Sequence, residues 1–172
     1  MTMSDRSFTS VMLTGHRPSA LTEEEIVWSR KELHKTLARL QKFHGIQEVI
    51  SGMALGADTW WAESAIALGI PFAAYIPFEA QPQVWPEFAR EHWRKLRAQA
   101  VREVVLGEKY NVGLLHARND AMIKDGELCV ALWKQSKTSG GTFSAVQKIR
   151  KADKPLILLD PETKLIVSER LH

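Results

Sequence analysis

The sequence has little of what characterises an exported or membrane-bound protein. It contains one cysteine, Cys129, so a disulfide within the chain is excluded, and a lone thiol inside an apolar run fits a reducing cytosol. Its longest apolar runs fall far short of the ~20 residues that cross a bilayer. The first ten residues, MTMSDRSFTS, lack the apolar stretch of a secretory signal. We therefore expect a soluble, cytoplasmic protein with no membrane partner.

Net charge and metal-ligating residues are also sparse. The formal net charge is only +3, whereas a dedicated nucleic-acid binder usually concentrates Lys and Arg on one face. One cysteine cannot build a zinc site, and four of the histidines are scattered along the chain: His34, His44, His92 and His116. We therefore expect no metal centre, and the composition does not favour nucleic acid as the main partner.

The chain has the size and composition of one globular domain. Its 172 residues are 45% hydrophobic and 25% charged, which is enough for one sizeable core and short for two. The sequence contains no internal repeat, no low-complexity segment and no Pro/Gly/Ser-rich linker. We expect a single domain over residues 1–172, with its core at about residues 8–160.

Short apolar runs alternate with longer amphipathic segments along the whole chain. The amphipathic segments predict helices at residues 23–43, 56–69, 82–100, 114–126 and 142–152, the first of them with Thr22 and Glu25 as a capping box. The apolar runs predict strands at residues 8–15, 46–51, 71–77, 103–107, 127–133 and 155–160, with a seventh edge strand at KLIVSE. Crossovers of helix length between continuous apolar strands indicate parallel pairing with both faces covered. The pattern predicts an α/β fold, a Rossmann-like three-layer α/β/α sandwich with a mainly parallel sheet.

The first strand ends in the segment TGHRP, at residues 14–18. In a parallel sheet the carboxyl ends of the strands share one edge, where ligands bind. Arg17 can contact a phosphate in bidentate geometry, and Gly15 allows close approach of the backbone; Thr14 and His16 complete this candidate group. The alternative is a turn with Arg17 in solvent and His16 packed on the surface.

The second strand ends in SGMALGAD, at residues 51–58. Its candidates are Ser51, Gly52, Gly56 and Asp58, with glycines at a spacing that is common before a helix. Asp58 falls in the first turn of that helix, where it is either a ribose-diol acceptor or a plain capping carboxylate stabilised by the helix dipole. Glu63 lies about 140° around the helix from Asp58, which argues against a simple paired-carboxylate site.

The fifth strand leads into the segment SKTSGGT, at residues 136–142. Gly140, Gly141 and Thr142 open a helix, whose free N–H groups and positive dipole end suit a phosphate. Lys134 and Lys137 lie in the loop before it. The alternative is an ordinary turn without a ligand.

Three further candidate contact residues lie on the fourth helix and at the end of the fifth strand. Arg118 and Asn119 lie on the fourth helix, and Met122, one turn beyond Arg118, is a candidate for a pocket wall beneath it. The alternative for Arg118 is a solvated surface arginine. Trp133 ends the fifth strand beside the loop, where its ring could stack on a base.

The sequence resembles the YpsA-like branch of the SLOG superfamily from about Val11 to Pro155. The resemblance depends on four segments in the same order: TGHRP, SGMALGAD, RN with a following Met, and Trp133 with GGT. That superfamily of Rossmann-like domains also contains the Lonely Guy phosphoribohydrolases and the Smf/DprA DNA-processing proteins. The resemblance implies a nucleotide pocket, with phosphate at Gly140–Gly141–Thr142 and contacts from residues of the other segments: Gly52, Gly56, Asp58, Arg17 and Arg118.

The sequence departs from the Lonely Guy type at one catalytic position. Those enzymes carry a glutamate three residues after the threonine of their glycine-rich motif, for cleavage of the N-glycosidic bond, and Ala145 stands there in this chain. Alanine can neither stabilise an oxocarbenium ion nor activate water. A hydrolase or transferase would therefore need Asp58 or Glu63 as its acidic group, and whether the protein is an enzyme stays open.

Three functions follow from these observations. The first is binding or sensing of a nucleotide or a nucleotide derivative such as ADP-ribose or an NAD-like molecule, with no cofactor assigned. The second is an N-glycosidic-bond hydrolase or transferase acting on a nucleoside or nucleotide. The third is DNA binding in the manner of Smf/DprA, through the basic helical segment at residues 90–103, whose alternative role is a solvated helix face. The resemblance also implies a homo-oligomer.

Overall fold

The computed structural model describes residues 6–171 and contains seven strands and five α-helices. The strands are β1 Ser10–Gly15, β2 Glu48–Ser51, β3 Phe72–Ile76, β4 Arg102–Val105, β5 Leu128–Leu132, β6 Leu156–Asp160 and β7 Leu165–Glu169. The helices are α1 Glu23–His44, α2 Ala57–Ala67, α3 Glu87–Gln99, α4 Val112–Asp125 and α5 Gly141–Lys151, with a short 3₁₀ helix at Pro18–Ala20. Every predicted strand and helix is present within the described residues.

The strands form one sheet in the order β4-β3-β2-β1-β5-β6-β7, in which only β7 is antiparallel to its neighbour. Strand order reverses at β1, because the chain builds β2, β3 and β4 on one side of it and β5, β6 and β7 on the other. The carboxyl ends of β1 and β5 lie side by side, with Gly15 paired to Leu132. This is the switch point at which open α/β sheets leave a crevice for ligands.

The helices cover both faces of the sheet. Leu33 and Leu37 of α1, Trp61 of α2 and Trp93 of α3 pack into one buried apolar cluster on the first face. Met122 of α4 and Val146 of α5 belong to a second cluster on the opposite face. The predicted three-layer α/β/α sandwich with a mainly parallel sheet is thus confirmed. Among the described helices, none is long and apolar enough to cross a membrane.

Helix boundaries follow local chemistry. The Thr22 hydroxyl accepts a hydrogen bond from the Glu25 amide, and the Glu25 carboxylate accepts one from the Thr22 amide, so the predicted capping box is confirmed. The predicted start of α3 at residue 82 was wrong. Pro82 and Pro86 lack amide protons and favour turns, so the chain turns through residues 79–85 and α3 begins at Glu87.

Candidate functional site

A cavity of about 720 Å³ opens at the switch point, between the ends of the strands and the starts of the helices that follow them. Four segments supply its walls: the β1 exit, the start of α2, one side of α4 and the start of α5. Ten of the fourteen predicted contact residues line it: Thr14, Gly15, His16, Arg17, Asp58, Arg118, Asn119, Gly140, Gly141 and Thr142. Local sequence segments far apart in the chain therefore meet at one edge of the sheet.

Two glycines bring the β1 exit against α2. A Cβ on Gly15 would lie 2.5 Å from the Cβ of Ala57, and a Cβ on Gly56 would lie 2.7 Å from the carbonyl oxygen of His16. Gly56 also has φ +91°, which side-chain-bearing residues rarely adopt. The Ala57 amide donates to the His16 carbonyl at 3.3 Å. Gly56 therefore serves backbone packing and does not itself line the cavity.

His16 is a buried neutral imidazole rather than a surface residue. Its Nε2 accepts a hydrogen bond from the Lys134 amide at 2.9 Å, so its proton resides on Nδ1. Burial, followed by the positive charge of Lys134, lowers the pKa of His16 to about 4. His16 therefore joins the β1 exit to the loop before α5 without adding charge at neutral pH.

Arg17 is the exposed cation of the cavity. Its side chain makes no hydrogen bond or ion pair with the other described residues, and it projects from the rim between His16 and the 3₁₀ helix. An arginine without a protein partner retains all five N–H donors for an anion. Arg17 is thus available for a ligand in a way that a paired arginine is not.

The start of α5 is open to the cavity. Gly140 has φ +96°, no side chain caps the helix, and a Cβ built on Gly140 or Gly141 would meet no atom within 4 Å. The Thr142 side chain is buried against the cavity wall. The first N–H groups of an uncapped helix, with the positive end of its dipole, form a ready anion site.

The loop before α5 is held by contacts that the sequence did not reveal. Lys134 is buried, and its Nζ contacts a Glu25 carboxylate oxygen at 2.8 Å and the Ala20 carbonyl at 3.3 Å. The Gln135 amide donates to Asp160 at 3.4 Å. Lys134 therefore anchors the loop to the capping box of α1 and does not reach into the cavity.

Asp58 and Arg118 lie at the floor of the cavity, and both are more than nine-tenths buried. Asp58 Oδ2 accepts a hydrogen bond from the Ala54 amide at 3.2 Å. Arg118 donates through Nε to Asn119 Oδ1 at 2.8 Å and through Nη1 to the Gly52 carbonyl. Burial raises the pKa of Asp58, and the positive charge of Arg118 acts against that rise. The alternative interpretation of Arg118 as a solvated surface arginine is wrong.

Ser51 and Gly52 contact Asp58 and Arg118 but do not line the cavity. The Ser51 hydroxyl donates to the Asp58 carbonyl at 2.7 Å. A Cβ on Gly52 would lie 2.6 Å from Arg118 Nη1 and 2.8 Å from Asp58 Oδ2. Only glycine at this position lets both charged groups approach the end of β2.

Two further sequence-based candidates, Trp133 and Glu63, lie outside the cavity. Trp133 is 5% exposed, its indole N–H donates to the Lys137 carbonyl at 2.9 Å, and its ring packs between Phe143 and Arg150, so no face is free for a base. Glu63 points to another side of α2, where it pairs with Arg30 and His92, each at 3.1 Å. The expectations that Trp133 stacks on a base and that Glu63 acts as the acidic group were wrong.

The sequence reasoning identified Met122 of the apolar wall and missed its other residues. Val112, Leu115 and Met122 of α4 line the cavity together with the exposed His116. Leu115 and Met122 lie three residues before and four residues after Arg118, so the helical period places them on its face. The spacing that identified Met122 would also have identified Leu115.

A second hollow of about 750 Å³ lies beside α3, but its charges are already paired. Arg97 contacts Glu79 at 2.6 Å and Glu103 at 2.8 Å, and Arg94 and Lys95 lie within ion-pair distance of Glu87 and Glu91. The predicted basic segment at residues 90–103 is therefore a helix face whose cations are largely balanced by carboxylates. Among residues 6–171, no group of three or more His, Cys, Asp or Glu side chains could hold a metal ion.

Sequence comparison matches residues 11–163 to the family model of the YspA SLOG family, also written YpsA. The chain belongs to this family. None of the curated proteins compared with this YpsA-family chain matches it in sequence.

Several solved structures share the fold of this YpsA-family chain. DNA processing protein A from Helicobacter pylori, described for its single-stranded DNA binding mode, has a TM-score of 0.66 at 23% identity, covering 91% of this chain and 71% of that one. DprA from Streptococcus pneumoniae has a TM-score of 0.63 at 17% identity, covering 88% of this chain and half of that one. The molybdenum cofactor carrier protein from Chlamydomonas reinhardtii has a TM-score of 0.56 at 21% identity, covering 92% and 81%. At these identities the likeness establishes the fold.

The contact between His16 and Lys134 predicts a specific pH dependence of stability. The pKa of His16 in the folded protein, about 4, lies below the ordinary value of 6.5. As the pH falls from 6.5 toward 4, His16 is therefore protonated in the unfolded chain but stays neutral in the native protein. Stability from this group is complete above pH 6.5 and is lost below it. We expect the wild type to lose up to about 2 kcal/mol more than His16→Gln between pH 7 and pH 5.

Urea unfolding at the two pH values measures this difference. His16→Gln keeps an acceptor for the Lys134 amide but cannot titrate, and His116→Gln, which changes an exposed ring of the same cavity, is the matched control. An unfolding free energy that falls equally in the wild type and His16→Gln would contradict the assignment of a buried neutral imidazole.

Proposed function

We propose that this YpsA-family protein binds a nucleotide or nucleotide derivative, with a phosphate at Gly140, Gly141 and Thr142. One observation carries the proposal: the exposed Arg17, whose side chain makes no hydrogen bond or ion pair with the other described residues, lines the same cavity as the uncapped start of α5. A free guanidinium and free helix N–H groups both favour the same chemistry, a multiply charged oxyanion.

The charge of the cavity supports a phosphate-bearing ligand. Arg17 and Arg118 contribute positive charge, Asp58 is the one carboxylate among the described lining residues, and His16 is neutral. The low dielectric of the walls strengthens these charges relative to water. An anionic ligand therefore gains more in this cavity than a neutral one.

The shape and polarity of the cavity support the rest of a nucleotide. Val112, Leu115 and Met122 offer an apolar wall on α4, which suits a planar base, while the α5 start suits a phosphate. A volume of about 720 Å³ has room for a ligand as large as ADP-ribose or an NAD-like molecule. Single-stranded DNA, bound by the H. pylori protein of similar fold, is itself a polymer of nucleotides.

A second candidate is cleavage of an N-glycosidic bond. Asp58 lines the cavity and burial raises its pKa, as a general acid requires. The usual second carboxylate is missing from the described lining residues, and Ala145, where the Lonely Guy enzymes carry their glutamate, is a buried residue of α5. Release of free base from AMP or NAD by the wild type, abolished in Asp58→Asn, would establish this activity over pure binding.

A third candidate is single-stranded DNA binding, which the likeness to the H. pylori protein favours. Its site would be the switch-point cavity rather than α3, whose cations are paired. Binding of an oligonucleotide that weakens steeply with salt would support it, because each phosphate contact releases counterions. Absent or salt-insensitive binding would remove it.

A homo-oligomer and a cytoplasmic location stay predictions. The edge strand β7 presents exposed Leu165, Ile166 and Val167, which are candidates for contact with a second copy. Light scattering on the purified protein would measure its mass in solution.

Removal of the Arg17 guanidinium should weaken binding of phosphorylated ligands selectively. We expect Arg17→Ala to reduce affinity for AMP about ten- to hundred-fold, the worth of a charge-assisted hydrogen bond, while affinity for adenosine changes little. Calorimetric titration of both ligands measures the difference. Arg39→Ala is the matched control, because Arg39 is exposed near the far end of α1. Equal losses for AMP and adenosine would exclude Arg17 from the phosphate site.

A side chain at Gly141 should block the phosphate without unfolding the protein. Apart from its chain neighbours and the backbone of its own helix, a Cβ at this position meets no atom within 4 Å, so Gly141→Val should fold and fill the space in front of the helix start. We expect at least a roughly tenfold loss of AMP affinity, since access to the helix N–H groups is lost. Gln147→Val, on the exposed side of α5, is the control. Unchanged affinity in Gly141→Val would show that the helix start is an ordinary turn.

A further inference from the structure

Asp58 and Arg118 form an incomplete charge pair at the floor of the cavity. The two residues are 6% and 7% exposed, and they carry opposite charges. Both side chains approach the end of β2 at Gly52. Neither a hydrogen bond nor an ion pair joins them directly among the contacts of the described residues. A buried carboxylate and a buried guanidinium that do not touch are costly for the fold, because each has lost water without gaining its natural partner.

The atoms that remain free are complementary to each other. Asp58 uses Oδ2 for the Ala54 amide, which leaves Oδ1 as an acceptor. Arg118 uses Nη1 for the Gly52 carbonyl and Nε for Asn119, which leaves Nη2 as a donor. Both residues line the cavity. Asp58 Oδ1 and Arg118 Nη2 are not among the fully buried polar atoms that lack a hydrogen-bond partner in the described residues. A ligand group that both donates and accepts would complete the pair.

We propose that Asp58 and Arg118 together bind the vicinal hydroxyls of a ribose, so that the site selects ribonucleotides over their deoxy counterparts. A hydroxyl can donate to Asp58 Oδ1 and accept from Arg118 Nη2, which a C–H group in its place cannot do. This assignment rests on the proposed function, since it requires a nucleotide whose phosphate occupies the α5 start. It adds a second recognition element at the floor of the same cavity.

The geometry of the pair is fixed before a ligand arrives. Asp58 is held by the Ala54 amide and through its own carbonyl by Ser51, and Arg118 is held by Gly52 and Asn119. A site built to hydrogen-bond a hydroxyl rejects the analogue that lacks it, because the site's buried polar groups are then left unpaired. A pair fixed in this way discriminates more sharply than flexible surface residues, since little side-chain entropy remains to be lost on binding.

The test compares matched ligands on one protein. The probes are the 5′-monophosphates AMP, GMP, CMP and UMP, each with its 2′-deoxy and 2′,3′-dideoxy analogue, titrated calorimetrically into the wild type. We expect at least one ribonucleotide to bind and its dideoxy analogue to bind about ten- to hundred-fold more weakly, the worth of hydrogen bonds to charged groups. This comparison needs no variant and is therefore independent of any effect on folding.

A variant assigns the discrimination to the pair. Asp58→Asn keeps an oxygen for the Ala54 amide but replaces the free acceptor with a donor, so it should lower ribonucleotide affinity and leave dideoxynucleotide affinity almost unchanged. Asp120→Asn is the matched control, because Asp120 is an exposed carboxylate of α4 that pairs with Lys148. Circular dichroism establishes that both variants are folded.

The outcomes separate this inference from the proposed function. Equal affinity of the wild type for a ribonucleotide and its dideoxy analogue would overturn the ribose assignment and leave nucleotide binding intact. A ribose preference that survives in Asp58→Asn would overturn the role of the pair. If no nucleotide binds the wild type, the proposed function fails and the ribose assignment fails with it.

Discussion

The reversal of strand order at β1 is the constraint on which the site depends. Because β2 pairs with one edge of β1 and β5 with the other, the helices that follow these strands lie on opposite faces of the sheet. The start of α2 and the start of α5 are thereby separated at the carboxyl edge, and neither helix can cover the space between them. The position of the cavity is a consequence of topology.

Close backbone packing determines how the walls meet. Gly15 and Gly56 remove the side chains that would hold the β1 exit away from α2, and the Ala57 amide then contacts the His16 carbonyl. On the other side, His16 accepts a hydrogen bond from the Lys134 backbone amide, and the Lys134 side chain pairs with the Glu25 carboxylate. The β1 exit is therefore fixed to α2, to α1 and to the loop before α5, which allows an exposed residue such as Arg17 to project from a rigid base.

Local signals in the sequence were sufficient for the elements and for many of the contact residues. The Thr22 capping box and the alternation of apolar runs depend on neighbours within a few positions, so they could be predicted. The burial of Arg118 and the pairing of Lys134 with Glu25 depend on residues 66 and 109 positions away, which no local pattern encodes. Trp133 and Glu63 were misassigned for the same reason, since proximity to a strand end does not fix the side on which a side chain lies.

Stability alone does not account for the choices made at this edge of the sheet. A fold selected only for stability would cap α5 with a side chain and exchange the separated Asp58 and Arg118 for apolar residues of similar volume, a change that is often neutral or stabilising. Elsewhere, the capping box of α1 and the paired cations of α3 follow the stabilising rules. An uncapped helix start and a separated pair of buried charges in one cavity support the proposal that a ligand supplies the missing partners.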